Sequence, residues 1–162
     1  MIKDELELIK QAIINEIEGY EFYKLASAHG SGASREAFLE LANEELKHSD
    51  FLKALFTKLK DSENDEIQLA FEADPPSPDI YKWDKVGNEL SSMAMSVFSI
   101  GMQMERDSIE FYQNAKERTT IKAAKDLYET LIKWEKVHLD QFTTQYNLYK
   151  EDWWNEQGFA PF

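Results

Sequence analysis

Residues 44–48 read EELKH, and residues 134–138, ninety positions further along, read WEKVH. Both stretches place a histidine three residues after a glutamate, Glu45 with His48 and Glu135 with His138. Side chains three residues apart share one face of an α-helix, so each pair would point a carboxylate and an imidazole in the same direction. The chain has only three histidines, and two of them stand in this pattern.

The surrounding sequence predicts four long helices. Apolar residues recur at helical spacing within four segments, at 5–28, 34–60, 86–117 and 120–150. The connection from 61 to 84 is acidic and contains three of the four prolines, with a short helical turn predicted near residues 67–71. The breaks between the other segments are short, which predicts two helical hairpins joined by one long crossover between helices two and three.

The two hairpins resemble each other in sequence. Residues 16–23 read EIEGYEFY and residues 105–112 read ERDSIEFY, so that Glu16 and Glu105 occupy matching positions on the first and third helices. The two Glu-x-x-His pairs match in the same way on the second and fourth helices. This weak internal repeat of about 90 residues predicts a bundle with pseudo-twofold symmetry.

In each predicted helix, the residues that recur at three- and four-residue steps form a stripe that would face the core. Each stripe is apolar except near its middle, where the charged residues lie. Four unpaired carboxylates in one core would each cost several kcal/mol, so they require a partner. Two divalent metal ions would balance their charge. The stripes therefore predict a two-metal site whose ligands are Glu16, Glu45, His48, Glu105, Glu135 and His138. Iron is favoured because carboxylate and imidazole ligands suit it, with manganese possible and zinc possible after heterologous expression.

Several neighbouring residues can be explained by ordinary core packing or by exposure to solvent. A lone Glu-x-x-His on an acidic helix is usually a solvated face, but here both pairs lie on apolar stripes. Tyr23 and Tyr112 follow Glu16 and Glu105 by two turns, and core packing explains them as well as a hydrogen bond to a ligand carboxylate does. We interpret Trp134 as core packing that points away from the site, His29 as a surface residue, and four glutamates as mostly solvent-facing: Glu18, Glu21, Glu44 and Glu110.

Composition excludes several classes of function. The formal net charge of −13 makes nucleic acid and anionic membranes poor partners. The absence of cysteine excludes disulfides, thiolate zinc sites and iron–sulfur clusters. No apolar run is long enough to span a bilayer, and the first residues do not resemble a secretory signal, so we expect a soluble, cytoplasmic protein.

At these residues the chain resembles the rubrerythrin family of the ferritin-like superfamily. The resemblance rests on Glu16 with EGYEFY, on Glu105 with IEFY, and on the two Glu-x-x-His pairs. It implies an all-α fold, a ferritin-like antiparallel four-helix bundle with a left-handed crossover, over residues 1–150. Residues 151–162 lie outside this signature. They are aromatic and contain Gly158 and Pro161, so we expect an irregular tail packed on the bundle or on a partner.

The resemblance also implies a function. Members of the family reduce hydrogen peroxide at a di-iron centre, with Glu16 and Glu105 as terminal ligands and Glu45 and Glu135 as bridges. Rubrerythrins usually append a cysteine-ligated rubredoxin domain, so a chain without cysteine needs an external electron-donor protein. The resemblance further implies a homodimer. Many members carry an additional glutamate where Ser108 stands, and this difference puts the family's carboxylate-for-histidine ligand exchange in question.

Two alternatives stay open at this point. A ferroxidase that handles iron would use dioxygen in place of peroxide and would pass on ferric iron. A bundle whose metals are mainly structural would instead use its aromatic tail to bind a partner.

Overall fold

The computed structural model describes residues 2–30, 32–61, 91–156 and 158, and these residues form four α-helices. The helices are α1 (Ile2–His29), α2 (Gly32–Asp61), α3 (Ser91–Arg118) and α4 (Lys122–Glu156). The predicted all-α four-helix fold is confirmed. The predicted crossover, its helical turn and the predicted start of the third helix at residue 86 lie outside the described residues.

The two hairpins turn within a few residues. In the first, the Gly30 amide donates to the Ser27 carbonyl at the end of α1, and Gly32 begins α2 with a positive φ of 57°. A side chain at that φ would be strained, which explains a glycine at this turn. In the second, the Thr119 hydroxyl accepts a hydrogen bond from the Ile121 amide in the turn that precedes α4.

Side-chain pairs between the hairpins establish that α1 and α3 run antiparallel. Tyr23 of α1 contacts Glu105 of α3, whereas Glu16, earlier in α1, contacts Tyr112, later in α3. The second and fourth helices are related in the same way, because His48 approaches Glu135 and Glu45 approaches His138. The repeat in the sequence thus corresponds to a pseudo-twofold relation in the bundle.

The hydrophobic core is divided into two clusters along the bundle. One contains Ile9, Leu55 and Leu131, and the other contains Phe38, Phe98 and Phe142. The charged residues of the four stripes lie between them, at the middle of each helix. Burying apolar area on both sides stabilises the bundle, at roughly 25 cal/mol per Å² removed from water, and excludes solvent from the charged layer.

The end of α4 corrects one prediction. The helix continues to Glu156, six residues beyond the predicted end, so residues 151–156 are helical where an irregular segment was expected. The segment contains no glycine or proline until Gly158, which has a positive φ of 73°. Helices commonly end at such a residue. Tyr149 stacks on Phe98 with ring centroids 5.5 Å apart, which anchors this part of α4 to the core.

None of the four described helices combines the length and the apolar character that a membrane span requires.

Candidate metal centre

The six side chains predicted as metal ligands lie together at the centre of the bundle. Each helix contributes one or two of these side chains from the middle of its inward-facing stripe, as the helical periodicity predicted. None of the six is more than 4% exposed to solvent: Glu16, Glu45, His48, Glu105, Glu135 and His138. A charged side chain is rarely buried to this extent without a partner, so the cluster requires one.

The six form two overlapping groups. Glu16, Glu45, His48 and Glu135 offer ligand atoms that all lie within 4.8 Å of one another. A second group of Glu45, Glu105, Glu135 and His138 meets the same limit. Glu45 and Glu135 belong to both groups, whereas each group has its own histidine and its own third glutamate. The arrangement therefore suits two neighbouring ions that share two carboxylates.

Both histidines turn the same nitrogen towards the carboxylates. His48 Nδ1 lies 3.0 Å from Glu135 and 3.2 Å from Glu16. His138 Nδ1 lies 3.1 Å from Glu45 and 3.3 Å from Glu105. The atom that would bind a metal is thus Nδ1 in each ring, which leaves Nε2 to interact with the surroundings.

Two buried tyrosines contact the glutamates that belong to one group only. The Tyr23 hydroxyl of α1 donates to Glu105 of α3, and the Tyr112 hydroxyl of α3 donates to Glu16 of α1. The two hydrogen bonds cross between the hairpins in opposite directions. Burial and the nearby carboxylates raise the pKa of both tyrosines well above 10.0, so each remains a protonated donor.

Burial and close charges shift several pKa values within the cluster. Burial, followed by the charge of Glu45, raises the pKa of Glu16 to about 8. Burial and the charges of Glu105 and Glu45 raise the pKa of Glu135 well above 4.5. Burial alone would lower the pKa of His48, but the carboxylates that face it raise that pKa well above 6.5. A neighbouring cation would oppose these shifts, because it would stabilise the ionised carboxylates.

The donor atoms fit iron. Within the described residues, both oxygens of Glu135 and Oε2 of Glu105 are buried without a hydrogen bond. An unsatisfied buried oxygen is costly, and more so when it is charged, so these atoms have ligand capacity that the protein itself does not use. Carboxylate oxygens with one imidazole per ion are ligands that suit ferrous and ferric iron.

A cavity connects this cluster with the surface between α1 and α3. Its volume is about 290 Å³, and buried Glu45 and Glu105 line it together with exposed Glu18 and Asp107. Gly19 and Ser108, which match in the sequence repeat, line its walls. Small side chains at these two positions leave a passage for a small molecule.

One residue at the centre was missed by the sequence analysis. Glu44 was expected to face solvent, but it is only 7% exposed and its Oε2 lies 2.5 Å from Nε2 of His138. The inward stripe of α2 is wide enough to hold Glu44 beside Glu45, since both follow Leu41 by one turn. The sequence does contain one signal that Glu44 is buried. The matching position of α4 holds Trp134, and a large apolar residue there indicates that this position faces inward.

Trp134 also lies closer to the cluster than expected. It is buried, as predicted, but its ring packs edge-on against His48 with centroids 4.9 Å apart. The remaining expectations agree with the structure: His29 is exposed at the end of α1, and the other three glutamates are exposed, Glu18, Glu21 and Glu110.

Comparison with known families gives an independent finding. The family model described as Rubrerythrin matches residues 7–146, which include all six residues of the cluster and both tyrosines. No curated protein and no solved structure matches the chain significantly.

Proposed function

The chain belongs to the rubrerythrin family, and we propose that it is a non-haem di-iron oxidoreductase that reduces hydrogen peroxide with electrons from an external donor protein. The observation that supports this proposal most is the pair of overlapping Glu/His groups that share two carboxylates. A site for a single metal ion would not need the second histidine. A bundle held together by apolar packing alone would need neither histidine.

The proposed roles of the ligands follow from the two groups. Glu45 and Glu135, which belong to both groups, would be shared by the two ions. Glu16 and His48 would complete the ligand set of one ion, and Glu105 and His138 would complete that of the other. Four carboxylate charges then balance two divalent ions, so the layer between the two apolar clusters is close to neutral.

When bound, two ferrous ions supply the two electrons that, with two protons, convert one hydrogen peroxide molecule into two water molecules. The protein's part is to hold the ligand set and exclude bulk water. Tyr23 and Tyr112 fix the orientation of Glu105 and Glu16, because each hydroxyl donates across the bundle to one oxygen and leaves the other oxygen available.

The cavity between α1 and α3 supports the proposal that the oxidant is a small molecule. It leads from exposed Glu18 and Asp107 to buried Glu45 and Glu105, so carboxylates lie at both of its ends. Acidic walls repel anions but admit neutral hydrogen peroxide. Ser108 lines the passage where many relatives carry a glutamate, and we propose that the six-residue ligand set stays unchanged during the reaction.

The electron donor is proposed to be a separate protein. A homodimer is the proposed assembly.

The test is an anaerobic stopped-flow experiment. Protein loaded with two ferrous ions per chain is mixed with hydrogen peroxide or with dioxygen, and ferric absorbance is followed. We expect faster oxidation by peroxide, with one peroxide consumed per iron pair. Rapid oxidation by dioxygen that continues as more iron is added would favour the ferroxidase instead.

A matched pair of variants controls this experiment. Glu105→Gln removes a charge from the cluster, and Glu110→Gln removes one from an exposed position of the same helix. The first should abolish the rapid phase with peroxide, and the second should preserve it. A rapid phase that survives in Glu105→Gln would contradict the proposed site.

A further inference from the structure

We infer that Glu44 is a positioning residue for one of the two metal positions only, so that the position at His138 binds its ion more tightly than the position at His48. This inference rests on the proposed two-metal site and adds an asymmetry to it. The asymmetry arises where the sequence repeat fails. The residue before Glu45 is Glu44, whereas the residue before Glu135 is Trp134.

The contact between Glu44 and His138 fixes the orientation of one imidazole. Glu44 Oε2 lies 2.5 Å from His138 Nε2, and both residues are buried. An ionised carboxylate only accepts hydrogen bonds, so Nε2 must carry the proton. Nδ1 is then the nitrogen left to bind a metal, and it faces Glu45 at 3.1 Å and Glu105 at 3.3 Å. The ring is thereby held in the form that binds a metal.

The other imidazole has a different neighbour. Trp134 packs edge-on against His48, with an angle of 80° between the rings. Within the described residues, neither His48 Nε2 nor the indole Nε1 of Trp134 has a hydrogen-bond partner. Packing therefore positions His48, but within the described residues no acceptor at Nε2 directs the proton to that nitrogen.

The two environments should give unequal metal affinities. A carboxylate that accepts from a metal-bound imidazole orients the ring and increases its strength as a ligand, and removing such a partner typically costs about 10–100-fold in metal affinity. Among the described residues, such a partner is present at the His138 position and absent at the His48 position. We therefore expect the first ion to bind at His138 and the second to bind at His48.

The experiment is a titration of metal-free protein with Co²⁺, followed by visible absorbance and calorimetry. The unmodified chain should bind two ions in two resolved steps. His138→Ala should remove the tighter step and His48→Ala the weaker one. Glu44→Ala should weaken the tighter step by about 10–100-fold and leave the weaker step unchanged. The control is Glu40→Ala, an exposed position one turn earlier on α2, which should change neither step.

A spectroscopic signature separates positioning from general stability. In the Co²⁺-loaded protein, the Nε2 proton of His138 should give a strongly shifted NMR signal that exchanges slowly, because Glu44 holds it. Glu44→Ala should abolish this slow exchange. Glu44→Gln keeps the volume and one acceptor oxygen, so it should retain the signal with a smaller loss of affinity, and it serves as the test if the alanine variant does not fold.

Two results would overturn the inference. One is an equal affinity of the two sites in the unmodified chain, and the other is a loss in Glu44→Ala that is absent or shared by both steps. Binding of fewer than two Co²⁺ ions by the unmodified chain is a different outcome, because it would contradict the proposed two-metal site itself.

Discussion

At the scale of single residues, the two tyrosines connect the halves of the bundle to the metal cluster. Each reaches from one hairpin to a glutamate of the other, and each hydroxyl is a buried donor to a buried carboxylate. Such a donor stabilises the ionised carboxylate and limits its motion. In the proposed site, the pair would therefore hold Glu16 and Glu105 in place for a metal ion.

We expect Tyr112→Phe and Tyr23→Phe to lower metal affinity by about 10-fold or more, since each leaves a ligand carboxylate without its donor. Calorimetric titration with Co²⁺ measures this loss. The control is Tyr128→Phe, because the hydroxyl of buried Tyr128 donates to Glu5, outside the cluster. That variant should reduce stability slightly and leave metal affinity unchanged. Equal losses in all three variants would contradict a specific role for Tyr23 and Tyr112.

The titration of the cluster predicts how stability depends on pH in the metal-free protein. Glu16 has a pKa of about 8 in the fold against an ordinary 4.5, and the pKa of Glu135 is also raised. A raised pKa stabilises the fold fully below the unfolded value, and this stabilisation is lost as the pH rises through the folded value. The melting temperature of metal-free protein should therefore fall between pH 5 and pH 8.

Two variants test which carboxyl group causes this pH dependence of the melting temperature. Glu16→Gln should flatten the decline, and Glu18→Gln, at an exposed position of the same helix, should leave it as it is. Glu45 and Glu105 have lowered pKa values and act below pH 4.5, outside this range. A melting temperature that rises steadily from pH 5 to pH 8 would contradict the account.

The position of the six clustered residues could be predicted from the sequence because helical periodicity fixes which face a residue occupies. Their neighbours were harder to predict. Glu44 and Trp134 are adjacent in sequence to Glu45 and Glu135, and periodicity alone does not distinguish the edge of an inward stripe from a solvated position. Only the approach of another helix decides it, as α4 does when it brings His138 against Glu44.

At the scale of helices, the close approach of α3 and α4 depends on Gly101. A Cβ atom there would lie 3.1 Å from the ring of Phe142, which is fully buried between Tyr23, Phe38 and Phe98. Since these rings surround Phe142, it has little room to move.

We expect Gly101→Ala to destabilise the protein. The gain in helix propensity is about 1 kcal/mol, but overpacking a filled core costs about 1–3 kcal/mol. Urea denaturation measures the difference. Ser99→Ala, at an exposed position of α3, should raise stability slightly and serves as the control. An increase in stability for Gly101→Ala would show that Phe142 can move.

Helix ends were predicted less well than helix faces. The fourth helix was expected to end near residue 150, yet it runs to Glu156, because no residue before Gly158 stops it. The aromatic composition of residues 153–154 suggested an irregular tail, but two tryptophans are compatible with a helix. The role of residues 151–162 as a packed tail stays a prediction.

At the scale of the whole molecule, two apolar clusters flank the charged layer. This division predicts that the bundle folds without metal and that metal adds to its stability. Ions present at 100 times their dissociation constant would add about 2.7 kcal/mol per site. Chelation should then lower the melting temperature by about 10–20 °C for two sites and leave the helices intact at 25 °C. Circular dichroism before and after chelation measures both. Unfolding on chelation at 25 °C would instead favour mainly structural metals.

The most direct test of the central claim, that six residues form one two-metal centre, is anomalous diffraction at the iron edge from crystals grown anaerobically with ferrous iron. We predict two peaks at the centre of the bundle, both contacted by Glu45 and Glu135. One peak should also contact His48 and Glu16, and the other His138 and Glu105. A single peak, or peaks outside this cluster, would contradict the account.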